Sequence, residues 1–311
     1  MKQSLRFQVE ADAAGQRLDE FLAARLSWLS RMRIATLLDQ GACVVNDETK
    51  RAGFHVRAGD VALIALDEES PTAMTPEALP LEIVYEDEHL LVVVKASGML
   101  VHPTRAVKSG TLLNALAYHL NKAAIETHGG LFFENNSPAQ FADSTLIVRP
   151  GLVHRLDRAT SGLMVIAKHQ RALSILARHF HQRLVEKRYL ALVHGRINKD
   201  ELLISANIGR DPESRPFWRV MNEGKQAETR LRVLARRNET TCVELEPVTG
   251  RTNQLRIHCA HTGHPIIGDA WYGSNSDTRL CLHAARLAFH HPANGERMEF
   301  TSAPPFSVSF D

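Results

Sequence analysis

Cysteine is scarce: Cys43, Cys242, Cys259 and Cys281 are the four in 311 residues, and none forms a Cys-x-x-Cys pair. Their scatter excludes a disulfide framework and a thiolate zinc site, and predicts free thiols in a reducing compartment. Long apolar runs are missing as well. No stretch approaches the ~20 residues that a bilayer-crossing helix needs, and Met1 to Arg6 lacks the apolar core of a signal peptide. The expectation is a cytoplasmic monomer with no membrane partner. Nor is one sign of charge in large excess, since 37 Lys and Arg against 35 Asp and Glu leave a formal +2. Any attraction to phosphate must then come from local basic faces. Gly110-Thr111-Leu112-Leu113-Asn114 is no nucleotide-binding loop, because the Gly-Lys-Ser/Thr ending is absent. His258, His261 and His264 recur at metal-ligand spacing but have no acid among them, so no metal site is expected.

What is present reads as two domains, since a single core rarely grows beyond roughly 250–300 residues. Leu18, Phe21, Leu22 and Leu26 recur at helical spacing, and so do Ile34, Leu37 and Leu38, with a stop at Gly41. Short strands follow at 43–45 and within 56–66, around turns at Asn46-Asp47 and Gly59-Asp60. Residues 1–66 form this first unit. Residues 67–80 are acidic with three prolines and predict an extended linker. The second domain, 81–311, has strands at 81–85, 90–94, 163–167, 188–193, 229–234 and 241–246, and a helix carrying Ala172, Ile175, Leu176 and Phe180. Strands outnumber helices without alternating with them, which predicts an α+β fold with a mixed, largely antiparallel sheet. Residues 121–149 show little periodicity and read as an insertion.

The most informative segment is His154-Arg155-Leu156-Asp157-Arg158-Ala159-Thr160-Ser161-Gly162-Leu163, followed by Ala167-Lys168. An aspartate between two arginines is expected to stay ionised, because positive charge favours the carboxylate. By itself it fits a nucleophile or base, and equally a structural ion pair. Likewise Arg17, Arg31, Arg33, Lys50 and Arg51 fit either a solvated basic face or a phosphate-binding one.

Two resemblances decide between these readings. The His154 to Leu163 run is similar to the signature of the RluA-type pseudouridine synthases. So are Glu86-Asp87 through Leu90-Leu91 to Lys95 and Val101-His102-Pro103, Lys187-Arg188-Tyr189 to Gly195, and Pro247 to His258. Residues 15–66 resemble the small RNA-binding domain named after ribosomal protein S4, through Arg17-Leu18-Asp19, Ser30-Arg31, Gly41 to Asn46 and Gly59-Asp60. The resemblance implies an S4-like α/β RNA-binding module whose Arg17, Arg31, Arg33, Lys50 and Arg51 lie along an RNA backbone. It implies Asp157 as the catalytic carboxylate, Tyr189 as the active-site tyrosine, and Arg256 as the arginine that pairs with the aspartate. Arg155, His154, Leu255, Arg251, Lys95 and His102 become substrate-binding residues, with Arg155 filling the place of the flipped uridine. The family commonly has Pro at Ala96 and His at Asn253; asparagine hydrogen-bonds but does not titrate.

The implied reaction isomerises uridine to pseudouridine in RNA and needs neither redox chemistry nor hydrolysis, so no cofactor is expected. Large-subunit ribosomal RNA is the expected partner, and transfer RNA the alternative. A non-catalytic RNA-binding or ribosome-assembly protein is a rival that Asp157, Tyr189 and Arg256 together argue against. A carboxylate-pair glycosidase lacks its second acid in these motifs.

Overall fold

The computed structural model describes residues 2–26, 29, 31–67, 75–104, 106–127, 148–214, 216–273 and 278–307. Their contacts divide the chain into two compact units, 1–80 with 102–150, and 81–101 with 151–311. The division falls after residue 80, where the linker was expected to end, while 102–150 groups with the first unit.

In the first unit a four-stranded antiparallel sheet has the order β1-β4-β2-β3, from β1 (Lys2–Gln8), β2 (Cys43–Val45), β3 (Glu48–Thr49) and β4 (Val61–Asp67). The expected turn at Asn46-Asp47 joins β2 to β3, with both residues at positive φ, which Asn and Asp tolerate. Helices α1 (Leu18–Arg25) and α2 (Arg31–Asp39) share one core with this sheet. The apolar positions at helical spacing, Leu18, Phe21, Leu22, Ile34, Leu37 and Leu38, meet Cys43, Val45 and Ile64 there. Helix α3 (Leu112–Thr127) carries regular structure into the segment expected to lack it; the rest of that segment, up to residue 147, lies outside the described residues.

The second unit is built on a ten-stranded sheet. Its main path runs β10 (Glu201–Ser205), β13 (Glu228–Arg236), β14 (Thr240–Pro247), β9 (Glu186–His194), β15 (Leu282–His290), β8 (Ser161–Ala167), β6 (Leu90–Lys95) and β5 (Glu82–Glu86). β16 (Arg297–Thr301) pairs with β15, and β7 (Gly151–Leu152) with β8. Among the described strands only the β8–β15 pair is parallel, so the sheet is mixed and largely antiparallel, as the strand-rich pattern predicts. All seven residues of β8 are buried, which matches its unbroken apolar run. Helix α4 (Gln170–His181) packs Ala172 and Leu176 against β6 and β8. Helix α5 (Gln254–His261) packs Leu255 and Cys259 against β9 and β14. A separate ribbon, β11 (Ile208–Arg210) with β12 (Trp218–Val220), completes the unit.

Candidate active site

Residues 153–160 leave β7 and return into β8 through a turn in which the Thr160 N–H donates to the Asp157 carbonyl at 3.1 Å. The loop after β6 clamps this segment. The Gly98 N–H donates to the Arg158 carbonyl (2.8 Å), Arg158 Nε to the Gly98 carbonyl (2.9 Å), and Ser97 Oγ to the Ala159 carbonyl (2.7 Å). Lys95 is wholly buried behind it, donating to the carbonyls of Ala96 and Met99 (both 2.8 Å) and Arg158 (3.2 Å). Three donors thus meet three acceptors, although burial pulls the amine down to about 8. Below the loop, Gly162 sits at φ +121°, where a Cβ would lie 2.7 Å from the Ala284 Cα of the neighbouring strand. Only glycine lets β8 and β15 approach this closely.

Asp157, so positioned, lines a cleft of about 700 Å3 together with His154, Arg155, Lys187, Tyr189, Arg251, Asn253, Leu255 and Arg256. It is half-buried, and among the described residues no group hydrogen-bonds its carboxylate. Burial raises its pKa above the ordinary aspartate value, and the charges of Arg256, Arg155 and Lys95 only partly offset this. The expectation that both flanking arginines would favour the ion therefore needs correction. Arg158 turns to the Gly98 carbonyl, and burial outweighs Arg155. Arg155 itself is exposed at the cleft with no hydrogen-bond or close ion-pair partner among the described residues.

Arg256 does not pair directly with Asp157 as expected. It binds Asp269 through Nε (2.7 Å) and Nη2 (2.6 Å), the two side chains being 8% and 0% exposed. Asp269 Oδ1 also accepts the N–H groups of Trp271 (3.0 Å) and Tyr272 (3.1 Å). The guanidinium lies 5.3 Å from the Trp271 ring centroid and 5.1 Å from that of Tyr272. Its charge reaches Asp157 through space alone. Asn253 opens α5 at φ +54°, a conformation asparagine tolerates. Its Oδ1 accepts from Arg256 Nη1 (3.2 Å) and its Nδ2 donates to the Tyr272 hydroxyl (3.2 Å), so it bridges rather than titrates.

The remaining candidates divide by environment. Tyr189, on β9, is a phenol kept neutral by burial and by Asp157, and no described group bonds its hydroxyl. His154 accepts from the Val165 N–H through Nε2 (3.1 Å) and stacks on Phe180 at 4.6 Å. Burial and Lys187 push its pKa down to about 3, so the imidazole is neutral. Arg251 is tied to the Gln226 carbonyl (3.0 Å), and Leu255 is 7% exposed. Lys95 is not among the cleft residues, and His102 belongs to the other unit. In the first unit Arg17 pairs with Asp19, Lys50 pairs with Glu48 and covers Phe54, and Arg51 is exposed. Arg31 and Arg33 stand on α2. His258, from the spaced histidines, engages both ring nitrogens, with Thr229 Oγ1 (2.9 Å) and the Ala206 carbonyl (3.0 Å).

Residues 89–261 match the family model described as RNA pseudouridylate synthase. The chain belongs to the RNA pseudouridine synthases. An RNA pseudouridine synthase of Aquifex aeolicus, described as uncharacterized, is 38% identical over 97% of this chain and 93% of its own length. The ribosomal large subunit pseudouridine synthase D of Nitrosomonas europaea is 35% identical over 97% of this chain and 85% of its own. Among solved structures, human RNA pseudouridylate synthase domain containing 1 superposes with a TM-score of 0.55 at 28% identity, covering 76% of this chain and 88% of that one.

For a pseudouridine synthase, two features of the site have no role in the motif reading. Lys187, within a matching motif but given no role there, lines the cleft with its amine depressed by burial and 5.8 Å from the Phe180 centroid. Asp269 is not itself a cleft residue but holds Arg256 there; it stands in Gly268-Asp269 with Trp271-Tyr272-Gly273, a segment that resembles the family's and is expected near the active-site wall. Beneath the cleft, Gln254 satisfies its whole amide. Oε1 accepts from Thr249 Oγ1 and the Arg251 N–H, and Nε2 donates to the Glu228 carbonyl and Thr229 Oγ1. This fixes the start of α5, and with it the place of Arg256.

Proposed function

We propose that Asp157 is the carboxylate at which this pseudouridine synthase isomerises uridine, and that the target lies in large-subunit ribosomal RNA. Isomerisation breaks the bond from the sugar C1′ to uracil N1 and joins C1′ to C5; C5 loses a proton and N1 gains one. The target base has to leave its stack to be reached, at a cost of a few kcal/mol. Arg155, exposed at the cleft with no hydrogen-bond partner among the described residues, suits the vacated space. Asp157 either adds to C1′ or removes a sugar proton. Arg256, fixed by Asp269, supplies the charge that steadies the ion. Tyr189 supplies a ring for the uracil to stack on and a hydroxyl near the proton that C5 gives up.

The observation that carries the assignment is a half-buried carboxylate on a clamped loop, facing a cleft with no hydrogen bond of its own among the described residues. A structural aspartate would spend its oxygens on partners, as Asp269 does. The large-subunit substrate rests on relatives such as the Nitrosomonas europaea protein, whose name states that substrate. The first 66 residues, with Arg17, Arg31, Arg33, Lys50 and Arg51, act as an S4-like module that positions the RNA by phosphate contacts.

Pseudouridines are to be mapped in total RNA from cells with the protein, without it, and with Asp157→Asn. Loss of one or more large-subunit sites in the last two is expected, with RNA affinity nearly unchanged in the variant. Normal sites in the Asn variant would remove Asp157 from the chemistry. Losses confined to transfer RNA would keep the chemistry and move the substrate.

A further inference from the structure

Trp271 directs a large apolar ring at solvent, 49% exposed, although tryptophan is ordinarily well buried. Its surroundings nonetheless fix it. The Trp271 backbone N–H donates to Asp269 Oδ1 at 3.0 Å, the Arg256 guanidinium lies 5.3 Å from the ring centroid, and the Phe217 ring meets it at 5.1 Å with an interplanar angle of 56°. Core packing does not account for the position. Tyr272, the other ring beside Arg256, joins the apolar cluster around Ile208 and Ile257, and Trp271 does not. The neighbouring ribbon adds Trp218, with the Arg210 guanidinium 5.8 Å from its ring, and an exposed Arg219. Aromatic faces interleaved with guanidinium groups are the composition that binds single-stranded nucleic acid, because every base has a face to stack and every linkage a charge.

We propose that Trp271, edged by Phe217, is a stacking platform for an unpaired base of the substrate RNA. The base is a neighbour of the reacting uridine and not that uridine itself. Trp271 is absent from the residues lining the Asp157 cleft, whereas Arg256, against which its ring rests, is present there. A nucleotide stacked on Trp271 therefore lies one step outside the cleft, separated from Asp157 by the Arg256–Asp269 pair. Flipping one base leaves its neighbours partly unstacked, and a rigid ring at that place gives one of them a new partner. The inference rests on RNA being the substrate, which the family supplies, and not on the assignment of Asp157.

The test uses the full chain carrying Trp28→Phe and Trp218→Phe, leaving Trp271 as the sole tryptophan, and a single-stranded uridine dodecamer as probe. Saturating RNA is expected to quench the emission strongly. Separately, the affinity of the otherwise natural chain for the same labelled dodecamer is measured at several salt concentrations. Trp271→Ala is expected to weaken it about tenfold and Trp271→Phe much less, with the slope against salt unchanged because no phosphate contact is lost. An unaltered slope separates stacking from a general loss of the basic surface. Emission that saturating RNA leaves unchanged would overturn the proposal whatever the variants do. So would an alanine variant that binds as the natural chain does, a result that would give the exposed ring to a protein partner instead.

Discussion

Arg256 grips Asp269, thirteen positions along the chain, with two hydrogen bonds of 2.7 and 2.6 Å, and offers Asp157 none. The arrangement divides two tasks. Asp269 neutralises and orients the guanidinium, and the residual positive field reaches Asp157, whose oxygens take no hydrogen bond among the described residues. A direct pair would hold the carboxylate down and occupy it.

Removing the grip has a defined consequence. Asp269→Ala leaves a buried guanidinium without its partner and frees the N–H groups of Trp271 and Tyr272. Truncating one partner of a buried pair costs about 3–5 kcal/mol, so urea unfolding shifts to clearly lower concentration. Pseudouridine formation in a large-subunit RNA transcript falls by more than RNA affinity does. An Asp269→Ala protein that turns over at the natural rate would show that Arg256 needs no such anchor.

Burial at Asp157 sets a relation between pH and stability. Its pKa is raised in the fold above the ordinary 3.8, so the folded state binds the proton more tightly than the unfolded chain. The stabilising contribution is complete below the unfolded value and is lost as pH rises through the higher folded value. At neutral pH the ionised carboxylate is then a burden on the fold. Asp157→Asn, which cannot ionise, is expected to melt at a higher temperature than the natural protein at pH 7. The difference shrinks as the pH is lowered toward 3.8. Melting curves across that range test the sign, and a gap that is constant or reversed would contradict the burial argument.

How much of this could be read in the sequence depends on how local each feature is. The long apolar run of β8 and the alternation in β9, β13 and β14 identify strands because each pattern lies within one element. The Asp157 segment is equally local, ten consecutive residues holding a loop and the strand behind it. Arg158 shows where adjacency fails. It is next to Asp157 in the chain, yet its side chain goes to the Gly98 carbonyl, 60 residues away. The Arg256–Asp269 pair is hidden for a related reason. A turn made by Gly268 at φ +77°, packed against the Arg279 backbone, brings Asp269 to the guanidinium. β1 escapes because Leu5 and Phe7 alternate with polar residues over too short a span, and only its pairing with β4 reveals it. The insertion reading at 121–149 fails over its first turns because α3 runs on to Thr127.

The clamp behind Asp157 gives a prediction in which two glycines act as mutual controls. Gly162 and Gly98 both sit at positive φ, +121° and +85°, so an alanine at either is strained. Such strain costs about 1–3 kcal/mol. They differ in the room available. At Gly98 a Cβ meets nothing within 4 Å, whereas at Gly162 it runs into the Ala284 backbone, which has no side-chain freedom with which to yield. Overpacking adds roughly 1–3 kcal/mol, so Gly162→Ala should lose roughly twice the stability of Gly98→Ala in urea unfolding. The effect on turnover follows the same order. Parting β8 from β15 displaces the strand that begins four residues after Asp157, and Gly162 also pairs with Lys95, whose amine holds the Arg158 carbonyl. Gly162→Ala is therefore expected to lower pseudouridine formation in the folded fraction as well, while Gly98→Ala retains most of it. Equal losses of stability in the two variants would mean that strain alone matters, and that the close approach of the two strands is not what fixes the aspartate loop.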